Sequence, residues 1–195
     1  INKLGMTNMV IGFNHHFGRN REGSINDLSE YADLYNFDIH KVDANIIQQK
    51  SISSTKIRDA IHKGDIELVN EYLGYNFSFT GQVIKGEGRG HVIGFPTANL
   101  IVRMPHKIIP LEGVYAVKVL YKNNTYQGMM NIGNNPTFNL KNSSIEVNIF
   151  DFGLNIYNQI IEVQVLKRIR NEKKFQSVDE LKKQLSLDKI SALNC

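Results

Sequence analysis

Over the first third of the chain, apolar positions switch between short unbroken runs and a helical spacing. Met9–Phe13 (MVIGF) is an apolar run of the kind a buried strand carries. After the polar stretch NHHFGRNREG, residues Ile25, Leu28, Tyr31, Ala32 and Tyr35 recur at helical spacing, with Ser24 placed to cap the helix. Phe37–Val42 reads as a second strand. Strand, helix, strand in that order predicts a parallel α/β unit. Residues 54–73 read as two short helices: Ser54 caps the first, Gly64 ends it, Asp65 starts the second and Gly74 closes it.

Past Gly74 the period changes to two. Phe77–Lys85, Gly113–Tyr121, Tyr126–Ile132, Ile145–Phe150 and Ile160–Leu166 carry alternation or β-branched enrichment. In the clearest of these, Tyr115, Val117, Val119 and Tyr121 share one face. KNNT at 122–125 supplies a hairpin turn, credited to asparagine's tolerance of positive φ. The chain ends on a helix, with Ser177 and Glu180 as a capping box and Val178, Leu181 and Leu185 as its apolar stripe. These patterns predict a boundary near Gly74–Tyr75, with an α/β piece before it and a small antiparallel barrel with a terminal helix after it.

A chain of 195 residues with 42% hydrophobic and 22% charged residues has a globular composition. No apolar run approaches the length that crosses a bilayer. The first residues lack the pattern of a secretory signal, and the chain is expected to enter a domain already under way. The single cysteine, Cys195, rules out an internal disulfide and a Cys-rich metal site, which favours a reducing cytoplasm. A net charge of +4 and a pI near 9.1 fit nucleic acid, an anionic small substrate, or neither.

The candidate chemistry begins at GEGRGHVIGFPTANL, residues 86–100. Glycines crowd where backbone turns tightly or approaches a ligand closely. The stretch is not a Walker loop, since no Gly-Lys-Ser/Thr follows at the required spacing, nor is it the dinucleotide fingerprint. Amides of Gly86, Gly88, Arg89 and Gly90 can form a nest for phosphate, with Lys85 and Arg89 adding charge. On the glycines alone, an ordinary hairpin loop is the better reading. Thr97 and Asn99, on alternate residues, offer hard oxygen donors suited to Mg²⁺, which keeps water and phosphate oxygens in its shell, or equally to satisfying nearby backbone. Glu146 in SIEVNIF is a candidate general base if its face meets Thr97 and Asn99, and otherwise a solvated carboxylate. Arg168 and Arg170 in VLKRIRNEKKF contact phosphate or merely solvate a strand end. In ISSTKIR, the hydroxyls of Ser53, Ser54 and Thr55 stand at an expected helix start beside Lys56 and Arg58. Such a terminus suits phosphate, although at least one hydroxyl is needed as a cap.

In chain order, GFNHHFG, ISSTKIR, GRGHVIGFPTANL, GVYAV, NIGNNPTF, IEVNIFDF and LKRIRNEKKF resemble the bacterial bifunctional riboflavin kinase / FAD synthetase family over nearly the whole chain. The resemblance implies an α+β protein. Residues 1–74 would be the later part of a Rossmann-like FMN adenylyltransferase domain. Residues 75–195 would be a riboflavin kinase domain, a six-stranded antiparallel Greek-key barrel with a C-terminal helix. It further implies ATP-dependent phosphorylation of riboflavin to FMN, with Mg²⁺ accompanying ATP and no nucleic-acid or membrane partner, and it leaves the oligomeric state open.

Residue by residue, Thr97 and Asn99 match the Mg²⁺-nucleotide motif, Glu146 the catalytic base, and Gly86–Gly90 the flap over the phosphates. Arg170 and Phe175 fall in a flavin-side region. Gly12–Gly18 and Ser53–Arg58 match two nucleotide-side motifs of the adenylyltransferase. Thr97, Asn99 and Glu146 are expected to meet inside the barrel. The chain departs from the family twice. It has no His-x-Gly-His motif, and His15–His16 does not replace it, so conversion of FMN to FAD is expected of the full-length protein and not of this chain. Asn148 stands where the family commonly has His, on the same face as Glu146. A basic OB-type nucleic-acid-binding module and a non-catalytic flavin-binding regulator are the alternatives, and an assay for FMN separates them.

Overall fold

The computed structural model describes all residues except 1, 2, 4, 14, 15, 44, 45, 48, 49, 87, 105 and 134–143, with 46, 47, 50 and 51 described by backbone alone. The chain divides into two compact units, Ile1–Ile52 and Ser53–Cys195.

In the first unit, strand β1 (Asn8–Gly12) pairs in parallel with β2 (Asp38–Val42), and helix α1 (Ile25–Tyr35) connects them. A 3-10 turn at Arg19–Arg21 precedes α1, and a short antiparallel hairpin, β3 (Ile46–Ile47) with β4 (Lys50–Ser51), ends the unit. Ser24 and Asp27 form a reciprocal capping box at the start of α1. Hydrogen bonds from the Ser24 side chain and then the Ser24 backbone hold the Asp27 carboxyl below its ordinary value. The core of this unit is Ile11, Leu28, Ala32 and Phe37.

The second unit opens with helices α2 (Ser54–Lys63) and α3 (Ile66–Leu73). Ser53, rather than Ser54, caps α2, accepting the Lys56 N–H at 3.4 Å. Gly64, Asp65 and Gly74 occupy the expected cap positions. A closed antiparallel barrel follows, made of β5 (Ser78–Ile84), β6 (Ala98–Ile101), β7 (Gly113–Tyr121), β8 (Asn124–Gly133), β9 (Ser144–Ile149) and β10 (Ile160–Arg170). Around the barrel the order is β10-β5-β6-β9-β8-β7, so the connection from β6 to β7 passes over two strands. A four-residue helix, α4 (Arg89–Val92), interrupts the β5–β6 connection, and α5 (Val178–Leu193) closes the chain. In the β7–β8 hairpin, Lys122 rather than an asparagine takes the positive φ.

Tyr115, Val117, Val119 and Tyr121 point into the barrel with Phe79, Val147 and Val163. Ala60, Ile61, Ile66 and Val69 of α2 and α3 join the same core. Residues 53–74 therefore pack with the barrel, whereas the sequence pattern placed the boundary at Gly74–Tyr75. Asn70 fastens this attachment. The register of β10 on β7 shifts between Val165 and Lys167, a bulge that leaves local carbonyls without ladder partners. Asn70 Nδ2 donates to the carbonyls of Val165 (2.9 Å) and Leu166 (3.3 Å), and its Oδ1 accepts the Phe77 N–H at 2.7 Å.

The barrel's outer wall is also apolar on one side. Ala116, Met129 and Phe150 pack there beneath Leu185 and Ala192 of α5. Ser177 caps α5 by accepting the Glu180 N–H at 3.2 Å, but Glu180 returns its bond to the Gln176 N–H at 3.1 Å, one residue before the expected partner. Val178, assigned to the apolar stripe by spacing, is exposed.

Candidate active site

The alternation along β6 and β9 decides where the polar residues go. Leu100 of β6 and Ile145, Val147 and Ile149 of β9 enter the barrel core. Asn99, Glu146 and Asn148 therefore project from the opposite, outer face. Asn99 pairs with Glu146 across β6–β9, and Asn131 of β8 pairs with Glu146 on its other side. The expected meeting of Thr97, Asn99 and Glu146 inside the barrel is thus corrected: the interior is filled by apolar side chains, and these polar groups gather on the outside wall.

Thr97 Oγ1 donates to Glu146 Oε2 at 3.1 Å. A hydroxyl that gives its single proton to a carboxylate keeps its oxygen lone pairs for another partner. Asn148, buried, donates from Nδ2 to the Pro96 carbonyl at 2.6 Å. It thereby ties the backbone entering Thr97 to the strand that carries Glu146. Two glycines make the approach of the preceding segment possible. A Cβ at residue 86 would stand 2.1 Å from Asn99 Nδ2, and one at residue 90 would stand 2.3 Å from the Phe95 carbonyl oxygen.

Beside this pair lies a cavity of about 260 Å³ between the outer wall, α4 and α5. Arg89, Gly90, Thr97, Glu146, Asn148 and Arg170 line it. Its apolar lining includes Phe95, Val114, Met129, Phe175, Leu181 and Leu185. Asn131 Nδ2 donates to Glu172 Oε1 at 3.2 Å across the rim. Lys173, another lining residue, pairs with Glu180 at 3.3 Å. The Gln176 N–H and then the Lys173 side chain hold the Glu180 carboxyl below its ordinary value.

The candidates named from the sequence therefore fall into three groups. Arg89, Gly90, Thr97, Glu146 and Arg170 meet at one cavity. Gly86 and Asn99 lie against each other and, like Lys85 and Gly88, are not among its lining residues. Ser53, Ser54, Thr55 and Arg58 sit at the start of α2, where Ser53 serves as the cap and the other three side chains are exposed. Glu87, Asn14, His15 and the segment NNPTF of NIGNNPTF lie outside the described residues.

Asn131, Glu172 and Asp188 escaped the sequence reading. Asp188 left a trace, since it follows Leu181 and Leu185 at helical spacing and so takes a place on the stripe that faces the barrel.

Among the described residues no group of three or more His, Cys, Asp and Glu could hold a metal ion. Thr97 Oγ1 and Asn99 Oδ1 form a different donor set, neutral and oxygen-only. It fits Mg²⁺, which takes few protein ligands and completes its shell with water and phosphate.

A closed six-stranded antiparallel barrel with a glycine-rich segment and a Thr–Glu pair on its outer wall defines the class of this unit. Residues 73–195 match the riboflavin kinase family model and residues 1–56 match that of FAD synthetase. The chain belongs to the riboflavin kinase family. It is 38% identical to the bifunctional riboflavin kinase/FMN adenylyltransferase of Haemophilus influenzae, covering 96% of this chain and 61% of that protein. With the protein of the same name from Bacillus subtilis it shares 39% identity, over 97% of this chain and 60% of the relative. The chain thus spans about 60% of the length of these relatives. Among solved structures, a macrolide-efflux protein from Streptococcus pneumoniae superposes with a TM-score of 0.86 at 36% identity, covering 96% of this chain and 60% of that one. Among the described residues no helix is long and apolar enough to cross a membrane.

Proposed function

We propose that the unit from Ser53 to Cys195 transfers the γ-phosphoryl group of ATP to the terminal ribityl hydroxyl of riboflavin, giving FMN and ADP. The observation that carries this reading is the Thr97–Glu146 hydrogen bond of 3.1 Å at the wall of a largely apolar cavity. In the reaction the hydroxyl oxygen bonds to the γ-phosphorus, the bond from that phosphorus to the β-phosphate's bridging oxygen breaks, and the hydroxyl proton passes to Glu146. Such transfers depend on positioning and charge stabilisation more than on covalent chemistry.

Glu146 acts as the base, and the Thr97 hydroxyl orients its carboxylate. Thr97 Oγ1 and Asn99 Oδ1 would hold Mg²⁺, which supplies charge neutralisation along the terminal phosphates when bound with ATP. Arg89 and the amides of Gly88–Gly90 offset charge on the phosphate oxygens. Phe95, Met129, Leu181 and Leu185 offer an apolar slot for the planar flavin ring and exclude water around the reacting hydroxyl. Residues 1–56 are proposed to contribute to an adenylyltransferase unit that consumes FMN, and both reactions are placed in the cytoplasm, where ATP is at hand.

Glu146→Gln tests the assignment. The variant keeps the shape and an acceptor for Thr97 but cannot take a proton. FMN formation from riboflavin and ATP-Mg²⁺ is expected to fall by about 10²–10⁴. Near-normal turnover would remove Glu146 as the base.

A further inference from the structure

Asp188 of α5 is a carboxylate with 1% exposure, and no step above uses it. It shares a helix face with Leu181 and Leu185, which line the cavity, and Ala192, which packs on the barrel's outer wall. A charge in such a place is costly unless it is paired and hydrogen-bonded. Asp188 is both. Arg170 Nε donates to Oδ1 at 2.9 Å and to Oδ2 at 3.1 Å, and Arg170 Nη2 donates to Oδ2 at 2.7 Å. Gln184 Nε2 donates to Oδ1 at 2.9 Å.

Holding α5 in place does not require this arrangement. Well-packed apolar residues commonly replace a buried ion pair with no loss of stability. What the pair does uniquely is fix a guanidinium at the cavity wall. Arg170 lines the cavity, and its guanidinium carbon lies 5.8 Å from the ring centre of Phe175, another lining residue. A guanidinium has five N–H donors. The Nε–H and one on Nη2 go to Asp188, and one on Nη1 goes to the Asn171 carbonyl at 2.9 Å. One N–H therefore remains on each terminal nitrogen. Because Asp188 neutralises the cation and the apolar Phe175, Leu181 and Leu185 line the same cavity, this wall suits a neutral planar ring bearing acceptor atoms better than a phosphate dianion.

We infer that Asp188 is a positioning residue that acts through Arg170, fixing its guanidinium so that the two remaining N–H groups meet acceptors of a neutral heteroaromatic ligand. Resting on the functional reading above, that ligand is the flavin ring. Asp188 itself touches no substrate.

The test uses the full chain, riboflavin binding followed by flavin fluorescence, and steady-state FMN formation. The double variant Arg170→Met/Asp188→Leu replaces the pair with apolar groups of similar size and is expected to unfold at or above the wild-type temperature. Its riboflavin affinity is expected to drop at least about tenfold, the scale of lost hydrogen bonds to a charged group, with KM for ATP within about twofold. Recovery of wild-type riboflavin affinity together with wild-type stability would show that the pair is only a structural fastener and overturn the inference. Arg170→Lys guards against a double variant that does not fold. It keeps the charge opposite Asp188 and loses the planar fork, so riboflavin KM should rise about tenfold with kcat little changed. An unchanged KM in that variant also overturns the inference. If wild-type protein binds no riboflavin, the functional reading fails and takes this role with it. If wild type and both variants bind equally, the functional reading stands and the role of the Arg170–Asp188 pair fails.

Discussion

At the scale of single residues, Asn148 matters through its donor. Its amide bonds to the Pro96 carbonyl at 2.6 Å, which holds the chain entering Thr97 against the strand that carries Glu146. Asn148→Ala removes one part-buried hydrogen bond, so a loss of about 1 kcal/mol is expected. Asn148→Asp puts a carboxylate oxygen where the N–H was, facing the same carbonyl. It should therefore be less stable than the Ala variant and lower kcat further, as read by thermal unfolding and FMN formation. An Asp variant as stable as the Ala variant would show that the amide does not donate there. That Thr97 shares a face with Asn99, and Glu146 with Asn148, was legible from their even spacing, but that the two pairs share one face follows from the β6–β9 register, and which face it is could not be read from sequence. The outer wall beneath α5 is itself apolar, with Ala116, Met129 and Phe150, so alternation does not mark inside from outside on these strands.

At the scale of elements, the long periodic segments were legible and the devices joining them were not. The β7 strand runs over Gly113–Tyr121 as its alternation indicates, and α2 and α3 end on the glycines that punctuate them. The short β6 and α4 offer only four residues each, too few for a period to emerge. The bulge in β10 and its partner were also hidden, because Asn70 lies 95 residues before Val165 and looks in sequence like an ordinary polar helix position. Asn70→Leu keeps the volume and removes both bonds to β10 as well as the acceptor of the Phe77 N–H. The loss is expected to be roughly 2–4 kcal/mol, since partly buried backbone groups would be left unpaired. Urea unfolding should show it as a lower midpoint at an unchanged slope. Riboflavin affinity of the folded variant should stay near wild type, because Asn70 is not among the residues lining the cavity. A midpoint within error of wild type would mean that water replaces those bonds at no net cost.

At the scale of the molecule, two hydrophobic clusters belong wholly to Ser53–Cys195, and a third belongs wholly to the first unit. Composition and period shift most abruptly at Gly74, which is why the sequence points to a boundary there. Burial sets a different limit: Ile61, Ile66 and Val69 are each at most 3% exposed inside the barrel's own core. Fully burying side chains of this type contributes about 1.5–3 kcal/mol each. Together the three contribute roughly 4.5–9 kcal/mol, comparable to the whole stability of a typical domain. A chain of residues 53–195 is therefore expected to fold alone, unfold in one cooperative transition and bind riboflavin with the affinity of the full chain. A chain of residues 75–195 lacks α2, α3 and the Asn70 clamp on the β10 bulge. It should be far less stable, with its β10 amides losing protection from hydrogen exchange first, because that strand loses both its packing partner and its side-chain donor. Equal stability of the two shortened chains would mean that the two helices merely rest on a barrel that is complete without them.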